Sequence, residues 1–275
     1  MCLIFIYTDP SPPKNGYRMV AVSNRDEFYS RPAKRAFHCK ENNLVGGQDL
    51  EKGREGGMWF GISLKQTDAF QFRLGCVLNL LGDDLQTDLE GRGAVVPNFL
   101  KTDLTSDEYL ETLKEHQYNA YNFITIELKR DCVITSHHTN KPFSCEKFEG
   151  KQVLGFGNST TSVPLQKVVN GRAKFKEIIR SCGNVTKHEL IKQLTQLLKH
   201  QEKYLPDPEL ARRTPWFNDL ASIYVRKLDV EYGTRTHSIL LIDYDWNVDF
   251  VELAMEEPID ANQPTWKTFN FNARL

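Results

Sequence analysis

Cys-Leu-Ile-Phe-Ile-Tyr at 2–7 is an unbroken apolar run of β-formers, and Tyr-Arg-Met-Val-Ala-Val-Ser at 17–23 is a second. Short runs of this kind predict strands. Between them, Asp9-Pro10-Ser11-Pro12-Pro13-Lys14-Asn15-Gly16 is dense in turn formers and suits a hairpin-like connection. The polar tract that follows Ser23 is therefore expected at a strand exit. Further strands are predicted at 58–64 and 72–79, with Gly46-Gly47 and Gly56-Gly57 supplying turns. Helices are predicted at 93–102 and 106–116, then strands at 121–128, 132–136 and 151–156. Val168, Val169, Phe175, Ile178 and Ile179 fall mostly at helical spacing, as do Leu190, Ile191, Leu194, Leu197 and Leu198. These stripes read as core-facing sides of two helices. Strands return at 222–228, 237–243 and 248–254. The pattern alone supports a mixed fold of the α+β kind.

At 275 residues, 40% hydrophobic and 11% aromatic, the chain is long enough to bury a sizeable core. No Pro/Ser/Gly-rich linker divides it, so a single domain over 1–275 is expected. A formal net charge of -1 gives no basic footprint for nucleic acid. Cys2, Cys39, Cys76, Cys132, Cys145 and Cys182 are scattered without C-x-x-C spacing, and no secretory h-region opens the chain. A reducing, non-secreted location follows. No apolar run approaches the roughly 20 residues of a membrane-spanning helix. Peripheral membrane contact stays open. The first ten residues contain Asp9 and no basic residue, unlike a mitochondrial presequence.

Cys2 carries the first candidate chemistry. Methionine is normally trimmed before a small residue, which would leave Cys2 with a thiol and an α-amine on one carbon. The amine has a pKa of roughly 7.7–8.0 and the thiol one of about 8.5, so the first can take the proton of the second. Asp26 or Glu27 is suited to orient that amine. Cys2 is equally readable as the first side chain of a buried strand.

Met-Cys-Leu-Ile-Phe at the start, Ser-Asn-Arg-Asp-Glu-Phe-Tyr-Ser-Arg-Pro at 23–32, Glu-Gly-Gly-Met-Trp-Phe-Gly-Ile-Ser at 55–63, Leu-Pro-Asp-Pro at 205–208 and Tyr-Gly-Thr-Arg-Thr at 232–236 occur in order. Together they resemble the NRDE-domain family, whose eukaryotic branch carries the transport and Golgi organisation name. The resemblance runs from residue 1 to about residue 254. It implies a four-layer αββα sandwich like that of the N-terminal nucleophile (Ntn) hydrolases.

Two activities follow from the resemblance. One is intracellular haem handling, with haem as cargo passed between membrane-bounded stores and acceptor proteins. The expected location is cytoplasmic, with visits to mitochondria or Golgi endomembranes. Asn24, Arg25, Glu27 and Trp59 are the expected ligand-pocket residues. Cys2, His137, His138, His200 and His237 are candidate iron ligands, none within a C-x-x-C-H signature, and Arg25 and Arg235 suit propionates. The other activity is amide or thioester hydrolysis, by analogy with the cholylglycine hydrolase branch. There Cys2 would be the nucleophile, Asp26 would hold its amine, Asn79 and Asn158 would match the two asparagines, and Arg235 the distal arginine. Ser23 stands where that branch has an arginine, and Arg25 sits beside Asp26 instead. A third possibility is a non-catalytic organiser of the secretory pathway.

Overall fold

The computed structural model describes residues 2–82, 86 and 88–275. In chain order the strands and helices begin with β1 (Leu3–Thr8), β2 (Tyr17–Phe28), β3 (Ala33–Cys39), β4 (Leu44–Asp49), β5 (Phe60–Ser63) and β6 (Phe72–Asn79). Then come α1 (Val95–Lys101), α2 (Ser106–Thr112), β7 (Tyr121–Leu128), β8 (Val133–Asn140), β9 (Phe143–Glu149) and β10 (Gln152–Phe156). The remainder is α3 (Gln166–Ser181), α4 (Lys187–Leu198), α5 (Pro208–Arg213), α6 (Phe217–Leu220), β11 (Arg226–Lys227), β12 (Tyr232–Asp243), β13 (Asn247–Met255) and β14 (Trp266–Arg274). Among the described residues no helix is long and apolar enough to cross a membrane.

These elements form two compact units, each with one antiparallel seven-stranded sheet. The first unit joins the residues up to Arg31 with Lys151–Arg274. Its sheet runs β10-β1-β2-β12-β13-β14, with β11 paired to β12. All six residues of β1 are buried, as its unbroken apolar run requires. Helix α3 packs on β1 and β10, and α4 on β2 and β12. The closest approach is at Gly171, where a β-carbon would stand 2.3 Å from Phe5 Cζ, so only glycine lets α3 settle onto β1.

The second unit is Pro32–Gly150, whose sheet runs in strict sequence order from β3 to β9. Here α1 lies over β5 and β6, and its Val95, Val96, Phe99 and Leu100 are buried. Arg73 on β6 is fully buried and pairs with Glu127 on β7 at 2.9 Å. It also donates to the carbonyls of Phe99, Thr102 and Leu104 just after and within α1, and its guanidinium lies over the Phe99 ring. That single cation fastens the end of α1 to the sheet.

The structure corrects several expectations. β2 continues to Phe28, so Asn24, Arg25, Asp26 and Glu27 lie inside a strand instead of at its exit. The strand expected at 222–228 reduces to Arg226–Lys227, and β3, β4, β9 and β14 occur where none was expected. The four-residue polar tract can stay extended because β12 supplies cross-strand partners for each member.

Candidate functional site

The site is built where three strands of the first unit bring their ends together. β1 pairs on one side with β2 and on the other with β10, with Leu3 opposite Asn24 and Ile4 opposite Phe156. Extending those registers by one and two residues sets Cys2 level with Arg25 on β2 and with Asn158 just beyond β10. Cys2 is half-buried, whereas Arg25 and Asn158 are buried. Cys2 Sγ lies 3.8 Å from the Asp26 carbonyl oxygen and donates to it. Burial pushes the thiol above its ordinary range, so it is protonated at neutral pH.

Asp26 faces Thr234 across the β2–β12 ladder, and Thr234 Oγ1 donates to its Oδ1 at 2.5 Å. The carboxyl is buried, and burial raises its pKa against the opposing pull of the Lys167 ammonium and the Thr234 hydroxyl. The Asp26 carbonyl also accepts the Tyr232 hydroxyl at 3.2 Å. Tyr232 therefore shares with Cys2 a single backbone oxygen. Its ring belongs to a trio with Phe28 and Trp216, at centroid separations of 5.1 Å (Phe28–Tyr232), 6.0 Å (Trp216–Tyr232) and 6.5 Å (Phe28–Trp216). Phe28 is 42% exposed. An aromatic surface thus runs from solvent down to the carbonyl that holds the thiol.

A bulge in β12 determines which side chains reach this cluster. The ladder pairs Thr234 with Asp26 and then Thr236 with Arg25, so Arg235 is the extra residue. Its guanidinium turns to the loop after β2, donating to the carbonyls of Phe28 (2.9 Å), Tyr29 (3.4 Å) and Arg31 (2.6 Å) and pairing with Glu257. Arg235 is thus the anchor of that loop.

Asn24 is committed in the same way. Its Nδ2 donates to the carbonyls of Leu198 and Ile223, both at 2.9 Å, and its Oδ1 lies 2.6 Å from His237 Nδ1. Because Nδ2 is the donor, Oδ1 accepts, and the proton sits on His237 Nδ1. The ring stacks on Trp266 at 4.8 Å and its pKa is pushed down to about 3 by burial, so it is neutral. Glu27 is half-buried, accepts from the Phe28 backbone N–H and lies 3.9 Å from Arg31.

The other expected site residues are carried by other elements. Asn79 ends β6, opposite Tyr121, and belongs with Trp59 to the second unit. Trp59 lies against Gly47, where a β-carbon would stand 2.5 Å from the indole, and Gly56 adopts φ of 80°. That is the turn-forming use of the Gly-Gly-Met-Trp element. His137 and His138 sit buried on β8, with pKa values lowered to about 4 by burial. His200 follows α4 and stacks on Tyr204. Among the described residues no group of three or more His, Cys, Asp or Glu is placed to hold a metal ion.

Two further participants were not among the expected site residues. Lys167, in the first turn of α3, is fully buried and donates to the Ser222 carbonyl at 3.2 Å. Helical periodicity marks its neighbours Val168 and Phe175 as core but gives no reason to expect a buried ammonium. Asp207, inside the Leu-Pro-Asp-Pro motif, caps α5 by accepting from Leu210 N (3.0 Å) and also accepts from Gln166 N at the start of α3 (2.7 Å). One carboxylate thereby secures two helix starts, and with them Lys167.

Comparison with known proteins gives a consistent result. The family profile described as Transport and Golgi organisation 2 matches residues 1–257. Transport and Golgi organization protein 2 of Drosophila melanogaster is 36% identical over 267 residues, covering 93% of this chain and 92% of that protein. The Homo sapiens homolog is 34% identical over the whole of this chain and 99% of its own, and the Mus musculus homolog 33% over the same extents.

Proposed function

Because the chain belongs to the Transport and Golgi organisation 2 family, we propose that it handles haem as cargo, taking the macrocycle at the Cys2 site and releasing it to an acceptor protein. The observation that carries this reading is the shared Asp26 carbonyl: the Cys2 thiol and the Tyr232 hydroxyl both address it, and Tyr232 continues outward into the Phe28–Trp216 surface. A flat apolar ring needs aromatic walls, and a cargo that must leave needs a weak hold on its iron. A protonated thiol is such a ligand, because coordination must first expel its proton. His137, His138 and His237 are buried and neutral. Arg25, level with the thiol, supplies positive charge for a propionate. The αββα layering of the N-terminal nucleophile hydrolases is part of the same proposal, and its support is one antiparallel sheet with helices on it in each unit.

The test is a haem titration of wild-type protein and of Cys2→Ala and Phe28→Ala, read by absorbance and by transfer to an apo-haemoprotein. Saturable one-to-one uptake with transfer, weakened in both variants, is the expected result. An absence of saturable uptake by the wild type overturns the reading.

A second reading, amide or thioester hydrolysis, is favoured by the buried Asp26 carboxyl beside the thiol and by Asn158 level with Cys2. It requires Cys2 to be the mature amino terminus. The distal arginine of that mechanism is the weak point, since Arg235 is held by the loop after β2. Cleavage of acyl-thioester substrates by wild type and not by Cys2→Ala is its signature.

A further inference from the structure

Lys167 is the most unusual group in the first unit. Its side chain is fully buried, yet its ammonium has a single hydrogen bond among the described residues, to the Ser222 carbonyl. No carboxylate lies within ion-pair distance of it among those residues. An ammonium carries three donors, so two are left without protein acceptors. Burying a cation with no carboxylate in ion-pair reach is costly.

Helix α3 starts against the end of β10, where a β-carbon on Gly157 would stand 2.7 Å from Val168 Cγ2, and Gly157 adjoins Asn158, which is level with Cys2. Burial lowers the Lys167 pKa, and the Asp26 and Asp207 carboxyls oppose that fall. Asp207 has both oxygens occupied by the Gln166 and Leu210 backbone amides. Asp26 has Oδ1 occupied by Thr234. Helix α3 delivers the lysine from its first turn, and the Asp207 cap fixes that turn, so the ammonium is held in place rather than trailing on a free stem.

We propose that Lys167 is a ligand-binding residue of the Cys2 site, its two open donors receiving an anionic oxygen of the bound molecule. This deepens the haem reading and rests on it only for the identity of the cargo, where the oxygen is that of a propionate. In an acyl ligand the same donors would receive the oxygen that becomes negative when sulfur attacks the carbonyl carbon. The shared requirement is a negatively charged oxygen near the thiol.

The test uses iodoacetate and iodoacetamide on the full chain at pH 7, with alkylation of Cys2 followed by peptide mass spectrometry. In both reactions sulfur bonds to the methylene carbon as the carbon–iodine bond breaks, iodide leaves and the thiol proton goes to solvent. The reagents differ in the carboxylate alone. The ratio of the iodoacetate rate to the iodoacetamide rate is expected to fall about tenfold in Lys167→Gln and Lys167→Met and to persist in Lys167→Arg, a tenfold effect being about 1.4 kcal/mol. A purely structural lysine would move both rates together and leave the ratio unchanged, and that result overturns the assignment.

A second arm compares haem with its dimethyl ester. Wild-type protein is expected to prefer the free propionates, with the preference lost in Lys167→Gln. If no haem binds while the alkylation ratio still falls, the haem reading is lost and the Lys167 assignment stands. If haem binds and the ratio does not change, Lys167 is structural and the haem reading survives.

Discussion

Thr234 and Asp26 face each other across the β2–β12 ladder, and the threonine hydroxyl donates to the carboxyl at 2.5 Å while accepting from the Val225 amide at 2.9 Å. The hydroxyl serves two buried partners at once, so Thr234→Val, nearly isosteric, takes a hydrogen bond from each. A loss of about 1–3 kcal/mol is expected for each bond removed. Urea unfolding checks this, with Thr234→Ser expected to recover most of the loss. Wild-type stability in Thr234→Val would show that Asp26 and Val225 find other partners.

Arg73 and Glu127 form a buried pair that also ties the end of α1 to the second unit's sheet. Breaking one side strands the other in an apolar surround. Arg73→Met is expected to cost about 3–5 kcal/mol. Hydrogen exchange should show the loss first at 99–104, where the guanidinium holds backbone carbonyls.

Asp207 accepts from the first turns of two helices. Asp207→Ala removes both contacts and is expected to cost about 2 kcal/mol. Asp207→Asn keeps one acceptor oxygen and should lose about half as much. Because α3 carries Lys167, Asp207→Ala is also expected to reduce the iodoacetate preference of Cys2 without altering its thiol count.

His137 and His138 titrate at about 4 in the folded protein and His237 at about 3, against about 6.5 for a free imidazole. The unfolded chain thus binds more protons than the folded one between pH 6.5 and 4. Stability rises with pH through that window and is lost as pH falls across it, by up to about 3 kcal/mol per histidine. Urea midpoints at pH 7.5, 6 and 5 should decline in that order. His138→Phe, which can keep the ring contacts with Tyr121 and Phe143, is expected to flatten the slope. A pH-independent midpoint would contradict the burial of all three rings.

The sequence was most legible where hydrophobic period and chain geometry agree. β1, α3 and α4 are evident from uninterrupted or helically spaced apolar positions, and Cys2 and Asp26 from a motif that brackets them. β9 was invisible because nearly every residue of Phe-Ser-Cys-Glu-Lys-Phe-Glu is exposed, leaving no buried face to create alternation. β14, an edge strand, differs: Phe269, Phe271 and Ala273 are half-buried and alternate with exposed Asn270, Asn272 and Arg274, so its period of two was present in the sequence. The extension of β2 through Asn24–Glu27 could not be read locally, since what keeps four polar residues extended is β12, some 210 positions away. Arg235 was assigned by motif position, whereas a bulge decides where it points. Lys167 had no signal at all, because a lysine in a first helical turn ordinarily faces water.

The first unit is made from the two ends of the chain, with Pro32–Gly150 inserted between them. During synthesis β1 and β2 emerge first, yet β2's other neighbour, β12, is translated only after some 200 more residues. The inserted unit, whose strands pair strictly in order, can close on contacts between successive strands while the hairpin still presents an unpaired edge. Closure of the Cys2 site therefore depends on the longest-range contacts of the unit. A truncation that removes β12 would spare the cysteine and every residue of the 23–32 motif, and still leave no site.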